Sequence, residues 1–324
     1  ALYQLLGEAN FTFLADLRAQ RCASILRQLE QWQIRVVFRG DSDYPALLEP
    51  LDDAPDVLFV RGELPPPGAP ALSIVGSRSC TRYGGAQARK IARTVAQAGV
   101  TVVSGLARGI DAAAHLGALE GGGRTVAVLG CGLTQCYPPE NKELFARILD
   151  SGGAVISELA PDAPPLAFHF PVRNRIIAGM AHALLLVEAR EKSGTHSTVN
   201  YALAQGREVF AVPGRVGCEG SEGPHTLLRE GARIVTSARE LLEDLQLAPL
   251  SSARKEPRSS SVSNGLQEQI VSLLRIEPMD QQEMTKRLSV SDDELMAELG
   301  TMEILGIIHR EAGNRFSLPV SQLL

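Results

Sequence analysis

Five short segments of the sequence combine arginine or lysine with glycine and small hydroxyl residues. They are residues 76–82, 105–109, 171–175, 190–195 and 213–215. The segments contain one acidic residue, Glu191, and eight cations: Arg78, Arg82, Arg108, Arg173, Arg175, Arg190, Lys192 and Arg215. Glycine lets the backbone approach a phosphate closely, and a guanidinium can hold a phosphate through two parallel hydrogen bonds. The pattern therefore predicts phosphate binding.

The cationic segments lie after short apolar, β-branched runs that are typical of strands. The runs cover residues 72–75, 100–103, 125–129, 154–157, 183–187, 208–212 and 233–236. Amphipathic helical stretches alternate with them, and their near-continuous apolarity indicates strands covered on both faces. We expect an α/β fold with a doubly wound, mostly parallel sheet. Such sheets bind ligands beyond the carboxyl ends of their strands, which places the cations along one positive edge.

Composition divides the chain into four parts. Residues 1–33 have apolar residues at helical spacing and predict a small helical cap of two short helices, of the SAM or helix-hairpin-helix type. Residues 34–245 carry the α/β pattern, and the Ser- and Pro-rich residues 246–265 predict a flexible linker. In residues 266–324, three helical stretches and a hairpin predict a winged-helix module.

The predicted winged-helix module is acidic. Residues 266–324 contain five Lys or Arg against ten Asp or Glu, so this part carries the whole net charge of −5. Winged helices often insert a helix into the DNA major groove, but phosphates would repel these acidic helices. Protein contact or domain packing is the favoured interpretation for this module.

Length and composition exclude several classes of protein. The 324 residues are 44% apolar and 21% charged, which is typical of a globular chain with a full core. No apolar run approaches the roughly 18 residues that cross a bilayer, and no signal-peptide pattern opens the sequence. The five cysteines are an odd number without metal-ligand spacing. We therefore expect a soluble cytoplasmic protein with reduced thiols, no membrane contact and no metal site.

Known nucleotide motifs are absent from the cationic loops. The sequence has no GxxxxGK[ST], and its first strand does not lead into GxGxxG. Several separate arginine loops along one edge suit a chain of phosphates, which favours a single strand of nucleic acid. A duplex is less favoured because no basic recognition helix appears. Three aromatic residues lie near this edge: Tyr137, Phe168 and Phe170. Each ring could stack on a base or pack in the core, and the sequence leaves both roles open.

Candidate catalytic groups are few. The nucleophile motif GxSxG is absent, and the six histidines have no metal-ligand spacing. Glu158 and Glu188 end strands on the positive side; pairing with neighbouring arginines is favoured, and general-base chemistry is the alternative. His115 is interpreted as a capping or packing residue. We assign no catalytic residue and no cofactor, and expect the protein not to be an enzyme.

A series of motifs resembles the bacterial DNA-processing protein A (DprA/Smf) family across residues 34–245. The motifs are Asp43-Tyr44-Pro45, Val57-Leu58-Phe59-Val60-Arg61-Gly62, Ile74-Val75-Gly76-Ser77-Arg78, Ser104-Gly105-Leu106-Ala107-Arg108-Gly109-Ile110-Asp111, Tyr137-Pro138-Pro139-Glu140-Asn141, Phe170-Pro171-Val172-Arg173-Asn174-Arg175-Ile176-Ile177-Ala178-Gly179 and Ala211-Val212-Pro213-Gly214. The resemblance implies an extended Rossmann-like domain that binds single-stranded DNA without enzymatic turnover. It also implies a homodimer that protects incoming DNA and loads the RecA recombinase during natural transformation.

The resemblance and the charge pattern together select a set of DNA-binding residues. The Gly76-Ser77-Arg78 loop is expected to hold phosphates, the Arg173-Asn174-Arg175 loop to line the same pocket, and residues 137–141 to border it. The full set is Gly76, Ser77, Arg78, Arg82, Arg108, Tyr137, Asn141, Arg173, Asn174, Arg175, Lys192, Ser193, Gly194 and Thr195. Leu227 and Leu228 are candidate dimer-interface residues, although core burial is the favoured interpretation.

Two other functions remain open at this stage. Ser193-Gly194-Thr195 faintly resembles the phosphate loop of Rossmann-like enzymes that cleave nucleoside monophosphates, for which Glu158 or Glu188 would be the base. Alternatively, the positive edge could bind an acidic protein in a structural adaptor. The first function predicts nucleotide turnover, and the second predicts no preference for single strands over other polyanions.

Overall fold

The computed structural model describes residues 8–245, 265–274, 279–288, 290–304, 307–310 and 315–318. The chain divides into two compact units, Ala1–Ser251 and Ser252–Leu324. The linker predicted for residues 246–265 lies outside the described residues, except for Gly265, which begins a helix. Among the described helices, none combines the length and the apolarity needed to cross a membrane.

A nine-stranded sheet forms the centre of the first unit. Its strands are β1 (Arg35–Phe38), β2 (Val57–Gly62), β3 (Ala71–Val75), β4 (Thr101–Ser104), β5 (Thr125–Val128), β6 (Ala154–Ser157), β7 (Ala183–Leu186), β8 (Glu208–Ala211) and β9 (Arg233–Ile234). Their order is β1-β2-β6-β5-β4-β3-β7-β8-β9. All neighbouring pairs are parallel except β1 with β2 and β2 with β6. The predicted α/β fold with a mostly parallel sheet is confirmed.

Helices cover both faces of this sheet. The described helices of the first unit are α1 (Glu8–Gln31), α2 (Arg82–Gln97), α3 (Ile110–Glu120), α4 (Lys142–Asp150), α5 (His169–Gly179), α6 (Thr195–Ala204), α7 (Glu222–Arg229) and α8 (Ala238–Asp244). One apolar core joins the sheet to α5, α6 and α7, and a second joins it to α2, α3 and α8. Leu227 of α7 is buried in the first core, as favoured from the sequence, and Leu228 is half-buried.

The strand order reverses beside β3. From β3 the chain winds through β4, β5 and β6 on one side, and through β7, β8 and β9 on the other. At such a switch point the loops after the two central strands diverge to opposite faces and leave a crevice between them. The loops after β3 and β7 therefore border the natural ligand site of this sheet.

The described part of the helical cap is one continuous helix, α1, rather than two short helices. No glycine or proline interrupts residues 8–31, so nothing in this stretch breaks the helix. Side-chain contacts of α1, and of Trp32 just after it, attach this helix to the sheet domain. Arg21 donates to both carboxylate oxygens of Asp162, at 2.5 and 2.6 Å, and the guanidinium of Arg61 lies 5.5 Å from the Trp32 ring centroid.

The second unit has its own apolar core. Its described elements are α9 (Gly265–Leu274), β10 (Met279–Asp280), α10 (Gln281–Leu288), α11 (Asp292–Ile304), β11 (His309–Arg310) and β12 (Arg315–Ser317). The strands form an antiparallel sheet in the order β10-β12-β11. Ile270, Met284, Leu299 and Phe316 are buried together between helices and sheet. The turn predicted at residues 312–314 lies outside the described residues, and the winged-helix assignment stays a prediction.

Candidate functional site

A cavity of about 660 Å³ opens beyond the carboxyl ends of β3 and β7. Four of its lining residues are cationic and one is acidic. The cations are Arg78, Arg173, Arg190 and Lys192, and the acid is Asp111. Such a volume is typical of a ligand pocket, and the excess of positive charge selects an anionic ligand.

The loop after β3 approaches the cavity through its backbone. The Ser77 amide donates to the Glu188 carbonyl oxygen at 2.7 Å, and the Ile110 amide donates to the Ser77 carbonyl oxygen at 3.2 Å. A Cβ at Gly76 would lie 2.6 Å from Ile110 Cγ1 and 2.8 Å from the Glu188 carbonyl oxygen, so only glycine fits. These contacts fix the loop and leave the Arg78 side chain exposed at the cavity wall.

The buried carboxylate of Glu188 anchors the far end of the same loop. Its Oε2 accepts the Thr81 amide at 2.8 Å, and its Oε1 accepts the Thr81 hydroxyl at 2.5 Å. The Thr81 hydroxyl oxygen in turn accepts the Gly84 amide at 3.1 Å and caps α2. Glu188 is thus a positioning residue for the loop that carries Arg78. It bonds to Thr81 and not to an arginine, contrary to the pairing favoured from the sequence.

Replacing Gly84 by alanine tests this packing. A Cβ at Gly84 would lie 2.5 Å from each Glu188 carboxylate oxygen, so Gly84→Ala is expected to destabilise the fold by about 1–3 kcal/mol through overpacking. Urea unfolding, followed by fluorescence of Trp32, the single tryptophan, measures the loss. In a Glu188→Ala background the same substitution should cost less, because the clashing carboxylate is gone. Equal costs in both backgrounds would contradict the proposed contact.

The loop after β7 forms the opposite wall. The Thr195 hydroxyl donates to the Gly76 carbonyl oxygen at 3.2 Å, and the Ser193 hydroxyl donates to Thr195 Oγ1 at 3.1 Å. Thr195 is the first residue of α6, so the positive end of the helix dipole lies at this wall. The Lys192 and Arg190 side chains are exposed there. This wall therefore offers an anion both flexible cations and a helix N-terminus.

Arg173 lies beneath the cavity rather than at its mouth. The side chain is 5% exposed, and its Nη1 donates to the carbonyl oxygens of Val128 and, at 3.0 Å, Gly105. Asp111 Oδ2 accepts the Gly105 amide at 3.1 Å, and a Cβ at Gly105 would lie 2.7 Å from both side chains. Burial lowers the pKa of Arg173 to about 10, while the nearby Asp111 opposes this shift. Arg173 thus supports the cavity floor.

The third wall consists of two loops held together by backbone contacts. The Gly132 amide donates to the Ala163 carbonyl oxygen at 2.8 Å, and the Thr134 amide donates to the Pro161 carbonyl oxygen at 3.0 Å. Tyr137, at the end of the first loop, has its ring centroid 5.3 Å from that of Phe170. The Arg78 guanidinium lies 5.6 Å from the Phe170 ring centroid. An aromatic surface therefore continues directly from the cationic one.

Comparison with known proteins agrees with this architecture. A family model described as DNA recombination-mediator protein A matches residues 35–246, well over half of the chain. The chain belongs to this family. The match ends with the first unit, so the family's defining region contains the whole cavity.

Individual members of the DNA recombination-mediator protein A family extend the match. Protein Smf of Escherichia coli is 47% identical over 243 residues, which are 72% of this chain and 65% of the E. coli protein. The X-ray structure of DprA from Streptococcus pneumoniae has a TM-score of 0.62 at 41% identity, covering 66% of this chain and 76% of that chain. A Helicobacter pylori DprA structure, described for its unique single-stranded DNA binding mode, has a TM-score of 0.59 at 26% identity. It covers 66% of this chain and 96% of that chain.

The cavity of this family member brings together ten of the fourteen residues that the sequence selected. The ten are Gly76, Ser77, Arg78, Tyr137, Arg173, Asn174, Lys192, Ser193, Gly194 and Thr195. Four residues lie outside: Arg82, Arg108, Asn141 and Arg175. Arg82 is exposed at the start of α2, and Arg108 donates to Glu140 Oε1 at 2.6 Å. Asn141 donates to the Leu106 carbonyl oxygen at 2.8 Å and so supports the loop before α3.

The segment of residues 171–175 is helical, not a loop as the sequence suggested. It lies within α5, where residues two positions apart point about 200° apart. Arg173 therefore faces the cavity, while Arg175 faces away and pairs with Glu158 at 2.5 Å. The expectation that both arginines line one pocket is wrong. The pairing favoured for Glu158 is confirmed.

Sequence reasoning missed several lining residues of the cavity in this family fold. Pro165 and Ala167 line it from an irregular segment between β6 and α5, and Arg190 lines it although it was not selected as a site residue. Arg190 had a signal, since it lies in a cationic loop after a strand. Pro165 and Ala167 had none, because an irregular stretch shows no hydrophobic periodicity.

The remaining polar candidates have structural partners. His115 is fully buried and its Nδ1 lies 2.7 Å from Thr125 Oγ1, as expected of a packing residue. Burial lowers the pKa of His115 to about 3. The five cysteines are free thiols. Among the described residues, no group of three His, Cys, Asp or Glu side chains could hold a metal ion.

Proposed function

We propose that this chain is a recombination mediator that binds single-stranded DNA by its phosphate backbone in the cavity beyond β3 and β7. Arg78, Arg190 and Lys192 contact phosphates, and the buried Arg173 adds positive charge from below. The observation that carries the proposal is the cavity itself, with four cations against one buried acid at the switch point of the sheet. Family membership and the single-strand binding of the H. pylori protein support it.

The walls of the cavity favour a single strand over a duplex. The ring of Tyr137, which lines the cavity beside the cations, is 40% exposed and can stack on an unpaired base. Phe168, which follows the lining residue Ala167, is 65% exposed. Such stacking contributes about 1–3 kcal/mol per base and tolerates any sequence. Asn174, which could read a base edge, already donates to Ser197 Oγ at 2.8 Å. Binding should therefore be largely independent of sequence.

The positions of the carboxylates support a protein without nucleotide turnover. Glu158 pairs with Arg175, and Glu188 accepts two hydrogen bonds from Thr81; neither lines the cavity. Asp111 does line it, but its Oδ2 accepts the amides of Gly105 and Ala107 at 3.1 and 3.4 Å. A general base needs a free oxygen within reach of its substrate, and these three carboxylates are committed to the fold.

The mediator role extends to a recombinase. We propose that a dimer of this chain holds incoming single strands, protects them and passes them to RecA during natural transformation. Backbone binding suits this task, because it leaves bases largely unread and can be released as the recombinase takes over the phosphates. The description of the family as recombination mediators supports this step.

Binding of oligothymidine and of its duplex over a salt series tests the DNA-binding proposal. We expect tighter binding to the single strand, with log affinity falling linearly as log salt rises, because bound cations displace counterions. Fluorescence anisotropy measures both. Equal affinity for single strand and duplex, or no binding to either, would overturn the proposal.

Two further assays test the other parts of the proposal. Release of free base from nucleoside monophosphates by the purified chain would overturn the non-enzymatic role. Formation of RecA filaments on a single strand, with and without the chain, tests the mediator role. We expect faster filament nucleation with it; an unchanged or slower rate would contradict loading.

A further inference from the structure

A second cationic surface lies outside the cavity, on the helices that cover one face of the sheet. Arg82, Arg89 and Arg93 are exposed along α2, and Arg147 is exposed on α4. The spacings of seven and four residues place the three α2 arginines on one side of that helix. We name these four residues the α2 track.

At Arg89, Arg93 and Arg147, the α2 track lies near a single carboxylate. Arg89 forms an ion pair with Glu120 at the end of α3. The hydrogen bond from Arg89 lowers the pKa of Glu120, and the charges of Arg93 and Arg147 lower it further. Arg89 contacts this acid, and Arg93 and Arg147 are near enough for their charges to act on it, so positive charge is in excess there.

Most of the cations in the α2 track have no acidic partner. Among the described residues, Arg82, Arg93 and Arg147 make no ion pair, although α4 also carries Glu143 and Asp150. Other exposed arginines of the first unit do pair, including Arg108 and Arg239. Unpaired, exposed guanidinium groups remain available for a ligand.

The α2 track begins at the cavity. Arg82 directly follows the loop of residues 76–81, whose first four residues line the cavity. From Arg82 to Arg93 the helix advances eleven residues, or about 17 Å at 1.5 Å per residue. A stacked strand that advances about 3.4 Å per nucleotide covers this distance with roughly five nucleotides. A strand leaving the cavity could therefore continue along α2.

We propose that the α2 track is a second binding surface for the DNA backbone, occupied by the part of a single strand that extends beyond the cavity. This inference rests on the proposed function of the cavity. The ligand is a run of phosphates, because the track consists of separated, exposed arginines. Very short strands fill the cavity alone, and longer strands engage the track as well.

The test compares short and long oligothymidines with the variant Arg93→Ala/Arg147→Ala in the full chain. For a strand of about 30 nucleotides, loss of two phosphate contacts should weaken binding roughly tenfold near 0.1 M salt and reduce the salt slope by about 1.4. For a strand of about four nucleotides, measured by competition, affinity should not change. The control Arg27→Ala/Arg239→Ala removes two exposed arginines elsewhere and should bind both strands like the wild type.

A variant that removes one negative charge tests the same surface in the opposite direction. Glu120→Gln removes the acid that competes for Arg89, so the long strand should bind about twofold more tightly and the short strand equally well. If both variants bind the long strand like the wild type, the track does not contact DNA, and an acidic protein becomes its partner. If wild-type protein binds neither strand, the cavity proposal fails, and the track proposal fails with it. If Arg93→Ala/Arg147→Ala weakens short and long strands equally, the track does not extend the site.

Discussion

Replacing Arg78, Arg190 and Lys192 together by alanine is expected to weaken single-strand binding about a hundredfold near 0.1 M salt. Each of these exposed cations lines the cavity and can neutralise one phosphate. Three lost contacts at about 0.7 each should lower the salt slope by roughly 2. Because all three side chains are exposed, their removal should leave the fold intact. Anisotropy titrations over a salt series measure affinity and slope together.

A matched control separates this local effect from a general loss of charge. Arg27, Arg229 and Arg239 are exposed cations away from the cavity, and their triple alanine variant carries the same net charge as the cavity variant. We expect its affinity and salt slope to stay close to those of the wild type. If both variants lose affinity equally, DNA binding depends only on overall charge. If neither loses affinity, the cavity is not the DNA site.

The sequence predicted the fold well because its signals are local. Buried parallel strands have plain signals: β7 lies in a continuous apolar run that Glu188 ends, and β4 is a β-branched run that ends at Ser104 and Gly105. The cationic loops follow from the same pattern, since parallel strands end at one edge of the sheet. The location of the cavity and ten of its lining residues could therefore be predicted without a structure.

The failures concern side chains whose surroundings come from distant parts of the chain. Arg173 and Arg175 look equivalent in sequence, and only the helical path of α5 sends them in opposite directions. The burial of Arg173 depends on Gly105, which leaves room for the guanidinium, and on carbonyl oxygens from two other strand ends. Neither condition leaves a periodic signal near residue 173. The position of a charged residue in a cationic segment therefore does not predict whether its side chain is exposed.

The burial of Arg173 predicts a large effect on stability. Arg173→Met keeps much of the side-chain volume but leaves Asp111 as an uncompensated buried charge, and the backbone carbonyl of Val128 without its donor. Leaving a buried charge without the nearby opposite charge that offsets it costs about 3–5 kcal/mol. Urea unfolding at neutral pH, followed by Trp32 fluorescence, should show this loss. Exposed Arg78→Ala should change stability little and serves as the control.

The pH dependence of the stability loss in Arg173→Met identifies the cause of that loss. Burial raises the pKa of Asp111 above 3.8, and the charge of Arg173 opposes that rise. A group with a raised pKa stabilises the fold fully below its unfolded pKa, and this stabilisation is lost as the pH rises. Without Arg173 the pKa of Asp111 should rise further, so the variant should lose more stability than the wild type between about pH 4 and neutrality.

The gap in unfolding free energy between Arg173→Met and the wild type should therefore widen as the pH increases. Asp111→Asn in the Arg173→Met background removes the buried charge and should recover part of the lost stability at neutral pH, with a nearly pH-independent gap. If the gap is the same at every pH, and Asp111→Asn recovers nothing, then the cost comes from lost packing and hydrogen bonds rather than from the charge of Asp111. That result would remove the electrostatic role assigned to Arg173 beneath the cavity.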